Sequence, residues 1–304
     1  MKRIEIDREL TIADADQARL DLHSFHNVLN IIVCELQCLG TLLGAPDALA
    51  PSLAICDEIL GAFHDPQQAR ASIRHLETYY ARIRENVDAA VAAHPVAPDR
   101  QPLLDESLGM LASVREVLDV RVREILARQE APGAWEVIDI KTITGNLRQV
   151  LDAMAQGSRG RFGVVHAPAE QGPDDYLVDL RVESVDGATI RMPPVLQDVL
   201  RDLVANARKY TDPGGCIRAS LIDDGAALSL TVADNGRGVP EDELPRLVDF
   251  GYRARNAREL RTLGGGYGLT KAYLVCRQHG GRMWLESGEG EGFTVELMAP
   301  RPPA

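Results

Sequence analysis

Asp202, Asn206 and Lys209 stand at spacings of four and three in RDLVANARKYTDPGG (201–215), so an acid, an amide and an amine share one helix face. That face suits a metal-bound polyphosphate: the Asn206 amide offers an oxygen to Mg²⁺, and Lys209 offers a charge to phosphate. The same pattern also describes a solvated helix face. In LTVADNGRGVP (230–240) an apolar strand ends at Asp234, and Gly236 and Gly238 allow the chain to turn closely around a ligand. A carboxylate there can accept a hydrogen bond from an adenine amino group; DNG is equally a common turn. LGGGYGLTKAYLVCRQHGG (263–281) runs Gly264, Gly265, Gly266 and Gly268 into an apolar-striped helix. Backbone N–H groups at such a helix start can hold phosphate, and a flexible turn is the alternative.

These residues need elements to place them. With 304 residues, 45% hydrophobic and 26% charged, the chain has room for two globular domains. Its formal net charge of −12, with no long Lys/Arg run, argues against nucleic acid as a partner. Five scattered cysteines fit a reducing compartment, and Cys34 and Cys38, one turn apart, read as helix-packing residues. No apolar run reaches the ~20 residues of a membrane span, and MKRIEIDREL lacks the apolar core of a signal peptide, so a cytoplasmic protein is expected.

Leu22, Phe25, Leu29, Ile32, Leu36, Leu39 and Leu43 alternate in steps of three and four, the seam of a helical bundle that requires partner helices. Gly44, Ala45 and Pro46 end that helix. Further helices are expected at about 50–63, 67–94 and 103–130, with HDP (64–66) and HPVAPDRQP (94–102) as breaks. From Trp135 the pattern changes to mixed strands and helices, which implies an α/β sandwich with one helical layer on a sheet.

Together and in this order, the three glycine- and amide-bearing stretches resemble the N, G1 and G2 boxes of the GHKL ATPase superfamily. That superfamily includes gyrase, the chaperone and mismatch-repair ATPases, and the histidine kinases. The resemblance covers about 135–300, and GEGEGFTVEL is similar to the last glycine loop and strand of the kinase members. It implies an N-terminal antiparallel helical bundle for dimerisation and histidine phosphotransfer, at 10–130 with an extra helix near 103–130. A GHKL (Bergerat-type) α/β sandwich that binds ATP follows at 135–300. By the same resemblance Asn206 binds Mg²⁺, Asp234 holds the adenine amino group, and Gly264, Gly266 and Gly268 pack around the phosphates. Asp202, Lys209, Tyr210, Gly236, Gly238, Tyr267 and Leu269 complete the implied cofactor-binding set. Kinases usually carry Asn where this chain has Asp202, which is read as an ion or water positioner. Residues from Pro240 to Leu263 are the implied mobile ATP lid.

The kinases of this superfamily place a substrate histidine on the first helix of the bundle, in a pattern like H-E-x-x-N/T-P-L. Both His23 and His26 are followed at plus four by an asparagine, Asn27 and Asn30. The family's bundle positions at plus two, six and nine fall on Phe25, Leu29 and Ile32 from His23, all on the seam. From His26 the last of them is Glu35, a carboxylate in the core. His23 is therefore the expected phosphoacceptor, with Asn27 orienting a water when a partner is dephosphorylated. Ser24 stands where the family has an acid that takes the imidazole proton, and loss of one general base typically costs ~10²–10⁴ in rate. The implied partners are a response-regulator receiver domain, a second copy of the chain and a separate sensor protein. Two other classes stay open: a kinase-derived adaptor or response-regulator phosphatase, and a GHKL protein acting on something else, such as a serine kinase of an anti-sigma type.

Overall fold

The computed structural model describes every residue except 63–64, 131–132, 159, 259–264 and 303–304; the side chains of 14–19, 21–24, 27, 66, 70, 120–121 and 123–130 also lie outside the description. It divides into two compact units, Ala13–Ile125 and Met1–Ile12 with Leu126–Ala304.

The first unit is all helix: α1 (Asp14–Leu42), α2 (Ala50–Ala62), α3 (Pro66–Arg74), α4 (Leu76–Ala93) and α5 (Gln101–Glu130). Asp65 caps α3 by accepting from the backbone N–H of Gln67 and Gln68 at 2.7 and 3.1 Å. The helix expected over 67–94 is broken at His75, whose N–H is shared between the carbonyls of Ala71 and Ser72. The break brings both Ile73 and Leu76 into the core.

Along α1, Phe25, Leu29, Ile32, Leu36 and Leu39 are all buried, as the seam requires, and so is Leu20. The expected partner was a second copy of the chain. Here the cover comes from the chain's own helices, whose buried residues include Ile55 and Ile59 on α2, Ile83 and Val87 on α4, and Leu111, Val114 and Leu118 on α5. The long α5 belongs to this bundle. Ser107 donates to Glu35 Oε1 on α1 at 2.6 Å, and the Tyr80 hydroxyl donates to the Leu111 carbonyl at 2.9 Å. Arg115 bonds Glu77 and lies 4.5 Å above the Tyr80 ring. Cys34 and Cys38, expected to pack, are exposed, because with Ile31 they occupy the helix face turned away from the seam.

The second unit is two-layered. Its sheet contains β1 (Lys2–Ile6), β3 (Val164–Val165), β4 (Tyr176–Ser184), β6 (Cys216–Asp223), β7 (Ala227–Asp234), β8 (Arg282–Ser287) and β9 (Phe293–Pro300). Their order is β1-β8-β9-β7-β6-β4-β3. A separate antiparallel pair joins β2 (Glu136–Asp139) to β5 (Thr189–Met192). Helices α6 (Ile140–Gly157), α7 (Val195–Tyr210) and α8 (Gly268–Gln278) share the core with alternate strand residues such as Ile217, Ala219 and Leu221, or Leu228, Leu230 and Val232.

The opening strand is the element that sequence reading passed over. KRIEI pairs antiparallel with β8 from Lys2↔Ser287 to Ile6↔Met283, so residues separated by almost the whole chain are neighbours. Just beyond it, Arg8 forms an ion pair with Asp249, and the Tyr273 hydroxyl donates to the Arg8 carbonyl.

Because the seam of α1 is closed within one chain, Phe25→Ala is expected to cost about 3–5 kcal/mol, and Ile31→Ser only about 0.5 kcal/mol or less. Urea unfolding at low protein concentration, followed by far-ultraviolet circular dichroism, measures both. Equal losses would show that the seam is not covered by the chain's own helices.

Candidate functional site

Pro193 and Pro194 open α7, where a fixed φ costs nothing and the missing N–H is not needed. The helix then turns Val199, Leu200, Leu203, Val204 and Ala207 into the core. Asp198, Asp202 and Asn206 follow one another at four-residue steps, the line facing α8.

Alpha8 approaches that line most closely at its first residue, a glycine. A Cβ placed on Gly268, its first residue, would lie 2.6 Å from Asn206 Nδ2 and 3.9 Å from the Asp202 Cβ. Any larger residue would push the glycine turn away from the amide. The Asn206 amide is half-buried here, beside the first turn of α8, where N–H groups lack helical partners. Gly266, one residue before the helix cap, has φ +76°, and a Cβ on it would meet the Tyr252 carbonyl oxygen at 2.9 Å. Gly264 lies outside the described residues. Tyr267 stacks on Phe250 with ring centroids 4.6 Å apart, and Leu269 packs against the core.

Asp202 differs from expectation. Its carboxylate is bonded by Lys271 Nζ at 3.0 Å, and the same ammonium also bonds Asp198. Arg201 reaches Asp198 at 3.4 Å. Asp202 is thus committed to a buried ion cluster, since a carboxylate pressed between two helices needs a counter-charge. Sequence reading missed Asp198 and Lys271. Their signals were an acid one turn before Asp202 and a lysine among the apolar residues of α8.

At the end of β7, Asp234 accepts from the Gly236 N–H at 2.9 Å. Burial pushes its carboxyl up to about 6, against the opposing pull of the Gly236 and Phe293 N–H groups and the Thr211 hydroxyl. Thr211 Oγ1 is buried and has no hydrogen bond of good geometry. A Cβ on Gly236 would fall 2.7 Å from that oxygen and 2.9 Å from Asp234 Oδ1, so the two polar atoms converge. A carboxylate and a hydroxyl side by side in a half-buried recess fit the polar edge of a flat base. Thr211 is a third residue that sequence reading missed; its only signal was its place at the end of α7.

The glycines of DNGRG also meet the protein's own backbone. Room for Gly236 is set by the Tyr210 carbonyl, 2.4 Å from its would-be Cβ, and for Gly238, at φ +60°, by the Gly288 carbonyl at 2.0 Å. Both let backbone pass backbone. Lys209 sits 5.1 Å from the ring of its neighbour Tyr210, and burial, with Arg253 and Arg208 nearby, lowers its ammonium to about 8.

The expected lid is anchored along its described part. Leu244, Leu247, Val248 and Ala254 are buried in the core, and Glu243 accepts from the Tyr252 hydroxyl and from Arg255. Residues 259–264 lie outside the described residues. In the helical unit, the side chains of His23, Ser24 and Asn27 do too, although all three positions are helical; His26 is exposed.

Residues 192–303 match the family described as histidine kinase-, DNA gyrase B-, and HSP90-like ATPase. The chain is 33% identical over 107 residues to the sensor histidine kinase WalK of Bacillus subtilis, covering 34% of this chain and 18% of that one. It is 28% identical over 217 residues to the adaptive-response sensory kinase SasA of a Synechococcus species, covering 69% and 54%. To the sensor histidine kinase Hik2 of Thermosynechococcus vestitus it is 43% identical over 107 residues, covering 34% and 28%. The chain therefore spans between 18% and 54% of the length of these relatives. Among solved structures, a mycobacterial sensor histidine kinase, MprB, aligns with a TM-score of 0.39 at 17% identity, over 56% of this chain and 100% of that one.

Two titrations frame the site. Asp234 gains its charge as pH rises through about 6, and Lys209 loses its charge as pH rises through about 8. Affinity for ATP, measured by calorimetry across pH, is expected to peak between those values. Asp234→Asn should remove the acidic limb and Lys209→Arg the basic limb; limbs that persist in both variants would assign the titrations elsewhere. The folded-state value of Asp234 lies above its ordinary 3.8, so its protonation favours the fold. Its contribution to stability is full below 3.8 and is lost as pH rises through about 6.

Proposed function

We propose that the chain is a sensor histidine kinase, its residues 192–303 matching the histidine kinase-, DNA gyrase B-, and HSP90-like ATPase family, and that it phosphorylates its own His23 from ATP and passes the phosphoryl group to an aspartate of a response-regulator receiver domain. The observation that carries this reading is the apposition of Asn206 with the glycine start of α8, beside the recess of Asp234 and Thr211. Adenine occupies the recess, with its amino group donating to Asp234. The triphosphate lies along the first turn of α8, where free N–H groups and the ammonium of Lys209 meet its charge. Mg²⁺, held by the Asn206 oxygen, neutralises phosphate charge when bound. A single amide ligand is consistent with a cation that keeps several waters and binds mainly through substrate phosphates.

A neutral imidazole nitrogen of His23 attacks the γ-phosphorus in line; the N–P bond forms as the bond to the bridging oxygen breaks, and ADP leaves. The other ring nitrogen gives up its proton. Ser24 is a poor acceptor for it, so the step is slow unless another acid or water serves. The choice of His23 is supported by its register, because Phe25, Leu29 and Ile32 at plus two, six and nine are all buried. Counted from His26, plus nine is Glu35, which instead accepts a hydrogen bond from Ser107.

The kinase works in the cytoplasm with a separate sensor protein, and nucleic acid is not a partner. Among the described residues no helix is long and apolar enough to cross a membrane. A homodimer joins through a face other than the α1 seam, which the chain's own helices cover. Ser24 favours one second reading, a phosphatase or adaptor descended from a kinase, in which Asn27 orients the attacking water.

Incubation of wild type and His23→Ala with radiolabelled ATP and Mg²⁺, followed by acid and base treatment, decides between them. Acid-labile, base-stable label in wild type and none in the variant is the expected result. Absence of label with ATP still bound would favour the phosphatase or adaptor, and label that survives in His23→Ala would exclude His23.

A further inference from the structure

A lysine inside α8 is out of keeping with its surroundings. Thr270, Ala272, Tyr273, Val275 and Cys276 around it are buried, and Lys271 itself is only 3% exposed. An apolar residue at this position would avoid the desolvation of an ammonium, and replacing buried ion pairs by apolar groups is often neutral or stabilising. Packing alone therefore does not account for Lys271. Its Nζ bonds both Asp198 and Asp202, and Arg201 joins at Asp198, so two acids and two bases form one buried cluster.

The cluster adjoins the phosphate end of the site. Lys271 lies three residues after Gly268, and the would-be Cβ of Gly268 is 3.9 Å from the Asp202 Cβ. Without Lys271, α7 would present uncompensated negative charge beside the helix start that holds a triphosphate. Resting on the reading of this unit as an ATP binder, we propose that Lys271 is a positioning residue: it cancels the charge of Asp202 and ties α7 to α8, so that the glycine turn accepts the phosphates beside Asn206. Lys271 acts through Asp202, with no contact of its own to the phosphates.

This assignment separates phosphate binding from base binding. Mg·ATP affinity is measured by calorimetry and adenosine affinity by ligand-observed NMR titration, on the full chain. Lys271→Met is expected to weaken ATP roughly tenfold to a hundredfold while changing adenosine less than about threefold. Adding Asp202→Asn should restore most of the ATP affinity. Asp202→Asn alone, which keeps the Lys271–Asp198 pair and does not depend on Lys271→Met folding, should tighten ATP several-fold relative to adenosine.

Equal loss of both ligands in Lys271→Met would reduce the lysine to a structural role and overturn the proposal. So would a double variant that stays as weak as Lys271→Met, because the ammonium would then touch the phosphates directly. An Asp202→Asn chain that binds ATP more weakly would also overturn it. A wild-type chain that binds neither ligand would instead remove the ATP reading on which the proposal rests.

Discussion

The candidate site depends on two helices meeting closely at a glycine. Alpha7 brings the amide and α8 brings the N–H groups of a helix start, and Gly268 is the contact at which the two come together. Close approach forces polar groups together in a place where water is scarce. The acids of α7 then require counter-charge, and Lys271 and Arg201 supply it. The sheet beneath holds both helices through one continuous core, so the spacing of Asn206 from the glycine turn is set by packing rather than by a flexible loop.

How far this arrangement was legible in the sequence depended on the range of the interactions. Periodicity located α5 to within a few residues and the buried face of α1, because local hydrophobic spacing dictates which helix face turns inward. The motif residues Asn206, Asp234 and Gly268 could be named because their types and order are distinctive. Partners remote in sequence carry no such mark. Nothing in KRIEI announces that it pairs with residues 282–287, and nothing in Lys271 announces the acids some seventy residues earlier. Gly236 and Gly238 show a further contact of this kind. Their type was read correctly as demanding close approach, but the approaching group is this protein's own backbone.

The helical unit corrects a different kind of inference. A heptad seam specifies that a partner must cover it and does not say which chain the partner comes from. Here the chain's own helices provide the cover, α2 packing on α1 and the long α5, which had no counterpart in the expected plan, bonding to it through Ser107 and Glu35. The face left outside carries Ile31, Cys34 and Cys38.

The pairing of β1 with β8 also governs how the protein is made. Strand β1 leaves the ribosome well before its partner, which emerges some 275 residues later. During that interval the helical unit, Ala13–Ile125, can begin to form. The nucleotide unit has to wait for β8 and β9, with its first strand held in reserve as an unpaired edge. Synthesis therefore finishes the two units in the reverse of the order in which their first residues appear, and closure of the long β1–β8 loop is among the last steps.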